Sequence, residues 1–377
     1  MSNIMQFNFP TTIRFGSEAL KEAPLYLQHN NCKNVLIVTD PALAQLPMIA
    51  TLQALLKAQQ IDSIIFSELA KNPTEKDVEN GAECFRKHHC DSVIGIGGGV
   101  SMDAARAIIL MVNHSGHLFD YEDGTGNDAQ VKADNIPYFI AIPTTSGTGS
   151  EVGRSAIISD STTHQKKVIF APPLLAKVIL ADPSLTLSLP KSITAATGID
   201  ALVHNVEAYL VDSFHPMCDG IALEGIRLID QSLLKAINTP DDIKARYNMM
   251  AASTMGAVAF QKGLGVVHSL AHALSAFNNM HHGLANALMF TESLRFNQAV
   301  CEEKYQHLEH MLKVEDFVTY CDTLITKAGI QTGLNHYGIH ESDLDTIAEI
   351  ALQDTCHLSN PRKVSYLDFV AILKASL

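Results

Sequence analysis

Asp200 and His204 stand four residues apart in the run ITAATGIDALVHNVEAYLV, so on a helix a carboxylate and an imidazole share one face, one turn from each other. Such a pair can grip a divalent metal, although the same spacing also serves surface contacts and helix caps. The run GLGVVHSLAHALSAFNNMHHGLANA adds His268, His272, His281 and His282 among residues that are otherwise mostly small or apolar. Burying several imidazoles in one apolar neighbourhood is costly unless something uses their lone pairs, and a metal is the simplest user. Asp200, His204 and two of the later histidines then give three nitrogens and one oxygen. That shell leaves a coordination position open for a substrate oxygen, as a catalytic site needs.

A second kind of chemistry sits earlier in the chain. The run GIGGGVSMDAARAI follows a predicted strand and opens a predicted helix, the context in which a glycine turn brings backbone N–H groups at a helix N-terminus up to a pyrophosphate. Short β-branched runs alternate with helical stretches through this half: Val35–Thr39, Ile61–Phe66, Ser92–Ile96, Tyr138–Ile142 and Val178–Ala181 read as strands of a parallel sheet. The first, third and fourth end in TDPAL, GGGVS and PTTSGTGSE, and ligands of open α/β sheets bind outside the carboxyl ends of strands. From about Leu189 strand-like runs vanish and helical periodicity continues to Leu377, with Pro190 in the first turn of the helix that carries Asp200. Two domains are expected, an α/β dinucleotide-binding domain over 1–188 with a Rossmann-like parallel sheet and an all-α metal-binding domain over 189–377. A cleft between them is the expected seat of a small substrate. The opening run QFNFPTTIRFG reads as a strand pair at the sheet edge, and an unpaired edge invites a second chain, so a homodimer or higher homo-oligomer is expected.

Composition narrows the classes further. A chain of 377 residues with 47% hydrophobic content can bury two cores, and a net charge of −13 provides no basic stripe for a nucleic acid. No apolar run approaches the roughly 20 residues that span a bilayer, and the seven cysteines contain no CxxC pair. A cytoplasmic protein with reduced thiols, acting on a small molecule, is expected.

Two motifs now carry a resemblance. GIDALVHNVEAY is similar to the first metal segment of the iron-type, or group III, alcohol dehydrogenases, and GLGVVHSLAHALSAF followed by HHG is similar to their second. The resemblance extends over essentially the whole chain and implies the dehydroquinate synthase-like two-domain architecture. It implies that Asp200, His204, His268 and His282 are the metal ligands, His282 because it directly precedes Gly283 of the family's histidine–glycine pair. His272 falls where members keep a histidine beside substrate and nicotinamide, which implies a proton-relay or positioning role, and His281 is left over. On the cofactor side the resemblance implies contacts from Gly98, Gly99, Val100 and Ser101, Val100 standing where many members have serine. It further implies contacts from the hydroxyls of Thr144, Thr145 and Thr148, from Asn72, and from Lys167 with Lys166 beside it. Asp40 matches the residue facing the adenine ribose; a carboxylate there accepts from ribose hydroxyls and repels a 2′-phosphate, so NAD is expected over NADP.

The implied reaction is hydride transfer between NAD(H) and a small primary alcohol, aldehyde or diol, with the alcohol oxygen on a divalent metal that stabilises the alkoxide. Fe2+ follows from the family, and Zn2+ suits the same ligands. Glycerol dehydrogenase-type polyol oxidation is a neighbouring alternative. A dehydroquinate synthase-like lyase is another, but it must hold a phosphorylated, carboxylated sugar, and the two metal segments contain no lysine or arginine. A purely regulatory nucleotide-binding protein would leave the ligand set incomplete, whereas all four ligand types are present.

Overall fold

The structure, a computed structural model, describes residues 7–9, 11–163 and 165–377. Among the described residues it has eight strands: β1 (Thr12–Phe15), β2 (Asn34–Val38), β3 (Asp62–Phe66), β4 (Ser92–Gly97), β5 (Tyr138–Pro143), β6 (Ser155–Ser159), β7 (Lys166–Phe170) and β8 (Val178–Ala181). Among them run α1 (Ala23–His29), α2 (Pro47–Ala58), α3 (Glu75–Lys87) and α4 (Gly99–Met111). The rest of the chain is helical: α5 (Lys191–Leu210), α6 (Pro216–Asn238), α7 (Ile243–Ala259), α8 (Val266–Asn278), α9 (His282–Leu312), α10 (Phe317–Lys327), α11 (Leu344–Gln353) and α12 (Tyr366–Ala375). Two compact units result. Among the described residues, one takes 11–145 and 150–186, and the other takes 7–9, 146–149 and 187–377.

In the α/β unit a six-stranded sheet is ordered β1-β8-β5-β4-β2-β3, with every pair parallel. Val35, Leu36, Ile37 and Val38 are fully buried, as are Ile94, Ile96, Ile140 and Ile142, which is why these runs read as continuous rather than alternating apolar stretches. β3 lies outside β2 while β4 returns on its other side, so the topological switch falls between β2 and β4. Asp40 follows the first of these strands and the glycine turn follows the second, placing both at the point where such sheets bind ligands.

Two features depart from the sequence reading. The opening segment forms one edge strand rather than a strand pair: β1 runs parallel to β8, and Gln6 and Pro10 lie outside the described residues. The backbone of Asn8 is instead satisfied by a side chain, donating to Gln261 Oε1 (2.7 Å) and accepting from its Nε2 (2.6 Å), which leaves no ladder for a second strand. An antiparallel pair, β6 with β7, also escapes the sequence pattern because SAIIS and KKVIF are short and joined by a polar run.

In the helical unit every residue of α5 from Thr194 to Leu210 is buried, and α6, α7 and α9 surround it. A helix buried on all sides is the bundle's axis, and polar groups on it are held in an environment that water does not reach. Pro190 caps this helix from just outside its first turn.

The α/β unit also buries a charge. The Arg106 side chain is inaccessible; its Nη1 donates to Asp103 Oδ1 (3.2 Å), Ser150 Oγ (2.9 Å) and the Ser155 carbonyl (3.1 Å), and its Nη2 donates to the Ser150 carbonyl. Burial pushes the Asp103 carboxyl up to about 6, and Arg106 opposes that rise. Removing the guanidinium strands the carboxylate and three oxygens together. Arg106→Leu is therefore expected to lose about 3 kcal/mol or more, a fall of roughly 5–10 °C in thermal midpoint. A midpoint equal to that of the wild type would show the buried cation to be dispensable.

Candidate active site: a buried histidine–aspartate cluster and a glycine turn

Three helices build the cluster. α5 presents Asp200 and His204 from one face, 1% and 4% exposed respectively. α8 presents His268 and, one turn on, His272. α9 begins at His282, with His281 at its N-cap. Gly283 explains how α9 comes so close: a Cβ there would collide with the Ala196 carbonyl of α5, so only glycine lets the helix start lie against that backbone.

The ligand atoms of Asp200, His204, His268 and His282 all lie within 4.8 Å of one another. Asp200 Oδ1 is 3.5 Å from His282 Nε2 and 3.8 Å from His204 Nδ1. A tetrahedral ion with bonds of about 2.1 Å needs its ligand atoms about 3.4 Å apart, so a small inward shift closes the shell. The donor chemistry fits such an ion. His204 Nδ1 is buried with no hydrogen-bond partner, an orphan that a cation would satisfy. Burial holds the His268 imidazole well below its usual range, with His204 and His272 adding to the effect, so it is a neutral lone-pair donor. Burial also raises the Asp200 carboxyl, against His204 and Asn286, and a nearby cation would return it to the carboxylate form. His281 is the fifth histidine of the neighbourhood and stands outside the four-residue set.

Two residues that the sequence reading did not single out support this set. Glu207 accepts from His268 Nδ1 (2.6 Å) through Oε2 and from the Val267 N–H (2.8 Å) through Oε1. Burial pushes its carboxyl up to about 7, and its position at the start of α8 draws backbone donors onto it. Asn286, one turn beyond His282, donates from Nδ2 to Asp200 Oδ1 (2.6 Å) and lies 3.2 Å from His282 Nε2 and 3.4 Å from His268 Nε2. Their only signal in sequence is helical spacing, three residues after His204 and four after His282. His272 lies beside the cluster, its ring stacked on His282 with centroids 5.3 Å apart and planes at 22°.

The residues that the resemblance implies for the cofactor divide between the units. Gly97 ends β4 at φ +151°, where a Cβ would strike the Ser101 side chain, and Gly98 caps α4. The first-turn N–H groups of Gly99, Val100 and Ser101 have no i−4 carbonyl inside the helix, the arrangement with which a helix N-terminus can receive an anion. Ser101 itself is buried beneath Gly97 with its hydroxyl unpartnered, so it offers its N–H to that edge rather than its hydroxyl. Val100 is half-buried. The Thr144 N–H donates to the Gly97 carbonyl (3.0 Å), and the half-buried Thr145 lies against Gly98. Asp40 uses Oδ1 to accept from the Ala42 and Leu43 N–H groups (2.9 and 3.0 Å). Asn72 is half-buried just ahead of α3, and Thr148 groups with the helical unit. The strand pleat separates the two lysines of β7. Lys167 is paired with Glu122 (3.0 Å) over the Phe119 ring, whereas Lys166 is desolvated and faces the charge of Asp103 on α4.

Comparison with known proteins bears on both halves. Residues 10–183 match the family described as iron-containing alcohol dehydrogenase, and residues 194–377 match the C-terminal domain of the Fe-containing alcohol dehydrogenase family. The chain belongs to the iron-containing alcohol dehydrogenase family. It is 38% identical over 331 residues to a 4-hydroxybutyrate dehydrogenase of Cupriavidus necator, covering 85% of this chain and 86% of that one. A crystal structure of 1,3-propanediol oxidoreductase superposes with a TM-score of 0.94 at 30% identity over the full length of both chains. Sulfoacetaldehyde reductase from Bifidobacterium kashiwanohense, solved in complex with NAD+, gives 0.90 at 26% identity over 100% of this chain and 99% of that one. The two-domain architecture of this iron-containing alcohol dehydrogenase is thus that of its family, a parallel sheet followed by a mostly helical part.

Glu207 fixes which nitrogen of His268 carries a proton, and such outer partners commonly change metal affinity 10–100-fold. Glu207→Gln keeps the acceptor for the Val267 N–H but removes the carboxylate. Its affinity for zinc, measured by competition with a chromogenic chelator, is expected to fall by about that factor. Equal affinities would show that Glu207 has no hold on the metal through His268.

Proposed function

We propose that this chain is an NAD-dependent alcohol dehydrogenase that interconverts small primary alcohols or diols with their aldehydes, using a divalent metal held by Asp200, His204, His268 and His282. The observation that carries the reading is the unpaired, buried His204 nitrogen within a four-residue set of one carboxylate and three imidazoles. A divalent ion there supplies the positive charge that lowers the pKa of an alcohol hydroxyl and polarises an aldehyde carbonyl. One carboxylate against three neutral imidazoles leaves that charge only half compensated, which suits the task. Iron is the metal named in the family description, we take it as the ferrous ion, and the donor set also accepts zinc.

The protein side of the chemistry follows from placement. His272 is half-buried beside His282, close to the set but not part of it, and takes up the alcohol proton. The first-turn N–H groups of α4 hold the pyrophosphate, with Thr145 supplying a hydroxyl and Asn72 an amide; the Thr144 hydroxyl is buried and offers no such contact. Asp40 Oδ2 accepts from the adenine ribose and selects NAD over NADP. Lys167 is committed to Glu122, so we assign the cofactor lysine to Lys166. The relatives' substrates are named as short molecules with a terminal alcohol or aldehyde, and we infer the same class here. The lyase alternative is disfavoured because Lys262, buried, and Lys304, half-buried, are already used in the helical unit: Lys262 holds Asp219 and the Tyr209 carbonyl, and Lys304 holds the carbonyls that end α5.

No helix of the described residues is long and apolar enough to cross a membrane. We place the protein in the cytoplasm, where its seven unpaired cysteines stay reduced. We also infer a homodimer formed through β1, one of the sheet's two outer strands, where Phe15 is 41% exposed. The test of the function is NADH formation with iron- or zinc-loaded protein and a panel including 1,3-propanediol, 4-hydroxybutyrate and butanol. Turnover is expected with at least one, and His268→Ala should lose bound metal and turnover together. Full activity in a metal-free His268→Ala protein, or no NADH from any alcohol, would overturn it.

A further inference from the structure

α8 carries two histidines one turn apart, and each gives its Nδ1 to a carboxylate. His268 meets Glu207; His272 meets Asp354, the residue that ends α11, at 2.8 Å from Oδ2. The second pair serves a histidine outside the four-residue set. Asp354 is itself fixed from two sides: Oδ1 accepts from Ser269 Oγ (2.7 Å) and from the Cys356 N–H (2.8 Å). The Ser269 hydroxyl in turn accepts from the His357 N–H (2.9 Å), so its proton is left for Asp354. A chain of donors therefore runs from backbone to Ser269 to Asp354. Burial alone would raise the Asp354 carboxyl, but His272, Ser269 and the Cys356 N–H more than offset it and hold it well below the usual carboxylate range.

We propose that Asp354 is a positioning residue that locks His272 in the tautomer with the proton on Nδ1, so that Nε2 presents the lone pair that receives the alcohol proton. The inference rests on the dehydrogenase reading for its effect on turnover, but not for the tautomer itself. An ionised carboxylate with both oxygens accepting can face only an N–H, so the neutral ring has one tautomer open to it. Stacking on His282 holds the ring plane, and the Asp354 contact sets the remaining rotation about that plane. In the serine protease triad the same logic holds, since replacing the orienting aspartate by asparagine leaves geometry intact but loses turnover through the wrong tautomer.

Asp354→Asn separates this role from a structural one. The amide oxygen can still accept from Ser269 and the Cys356 N–H, so a carboxylate that only shapes the turn at 354–357 is replaced at little loss. The amide nitrogen, however, donates toward His272 and forces Nδ1 to accept. With metal-loaded enzyme and a short alcohol, kcat is expected to fall about 100-fold or more, with bound metal unchanged and KM within about threefold. Asp354→Glu should recover part of the loss, and Asp354→Asn placed on His272→Ala should lower kcat no further, since both act through one ring. 15N-histidine spectra of zinc-loaded protein read the tautomer without turnover: Nδ1–H at His272 in the wild type and Nε2–H in Asp354→Asn. An Nε2–H ring in the wild type, a kcat near wild-type in Asp354→Asn, or losses that add on His272→Ala would each overturn the proposal. The expected tautomers in a protein that oxidises no alcohol would instead overturn the dehydrogenase reading alone.

Discussion

Three imidazoles and a carboxylate inside a helical bundle, all but the half-buried His282 cut off from water, form the constraint on which the rest of this structure depends. Taken from water, each group loses strong hydrogen bonds, and the axial position of α5 leaves Asp200 and His204 no route back to solvent. Packing alone does not repay that loss, as the unpartnered His204 nitrogen shows. A divalent cation held there would turn the arrangement from a liability into a source of stability, because its binding energy would become folding energy.

That requirement shapes the neighbouring helices. Gly283 is needed so that α9 can begin against α5, and the N-terminus of α8 is tied to α5 through Glu207. Asn286 ties α9 to Asp200. Glu207 fixes the His268 imidazole from behind, which is what a site must do if its ligands are to meet an ion with little rearrangement. His272 repeats the motif at one remove, with a carboxylate behind it and its ring on the edge of the set. The α/β unit solves a different problem with backbone: a glycine turn at the switch point of a parallel sheet exposes N–H groups that no side chain could place so closely.

Much of this was legible in the sequence because it rests on spacing. The i, i+4 pairs at 200/204 and 268/272, and a glycine run between strand-like and helix-like segments, survive as patterns without coordinates. The parallel sheet was legible for the same reason, since its strands are continuous β-branched runs. The supporting carboxylates were not. Glu207 sits in an amphipathic-looking stretch where a glutamate ordinarily faces water, and Asp354 meets His272 from 82 residues away, a contact no local pattern encodes. The two lysines of β7 illustrate a finer limit: which one faces Asp103 and which Glu122 depends on strand register, and a one-residue slip exchanges them. The strand pair expected at the N-terminus gave way to a single edge strand because a glutamine side chain takes the backbone groups that a second strand would have used.

The central claim is that Asp200, His204, His268 and His282 together bind one divalent ion. X-ray absorption at the iron edge, on protein purified anaerobically with ferrous iron, reads the shell directly. One iron per chain with three nitrogen and one or two oxygen neighbours at about 2.0–2.2 Å is the expected result, and His204→Ala should lose the ion. A protein that holds no stoichiometric metal, or whose metal keeps the same neighbours after His204→Ala, would contradict the account.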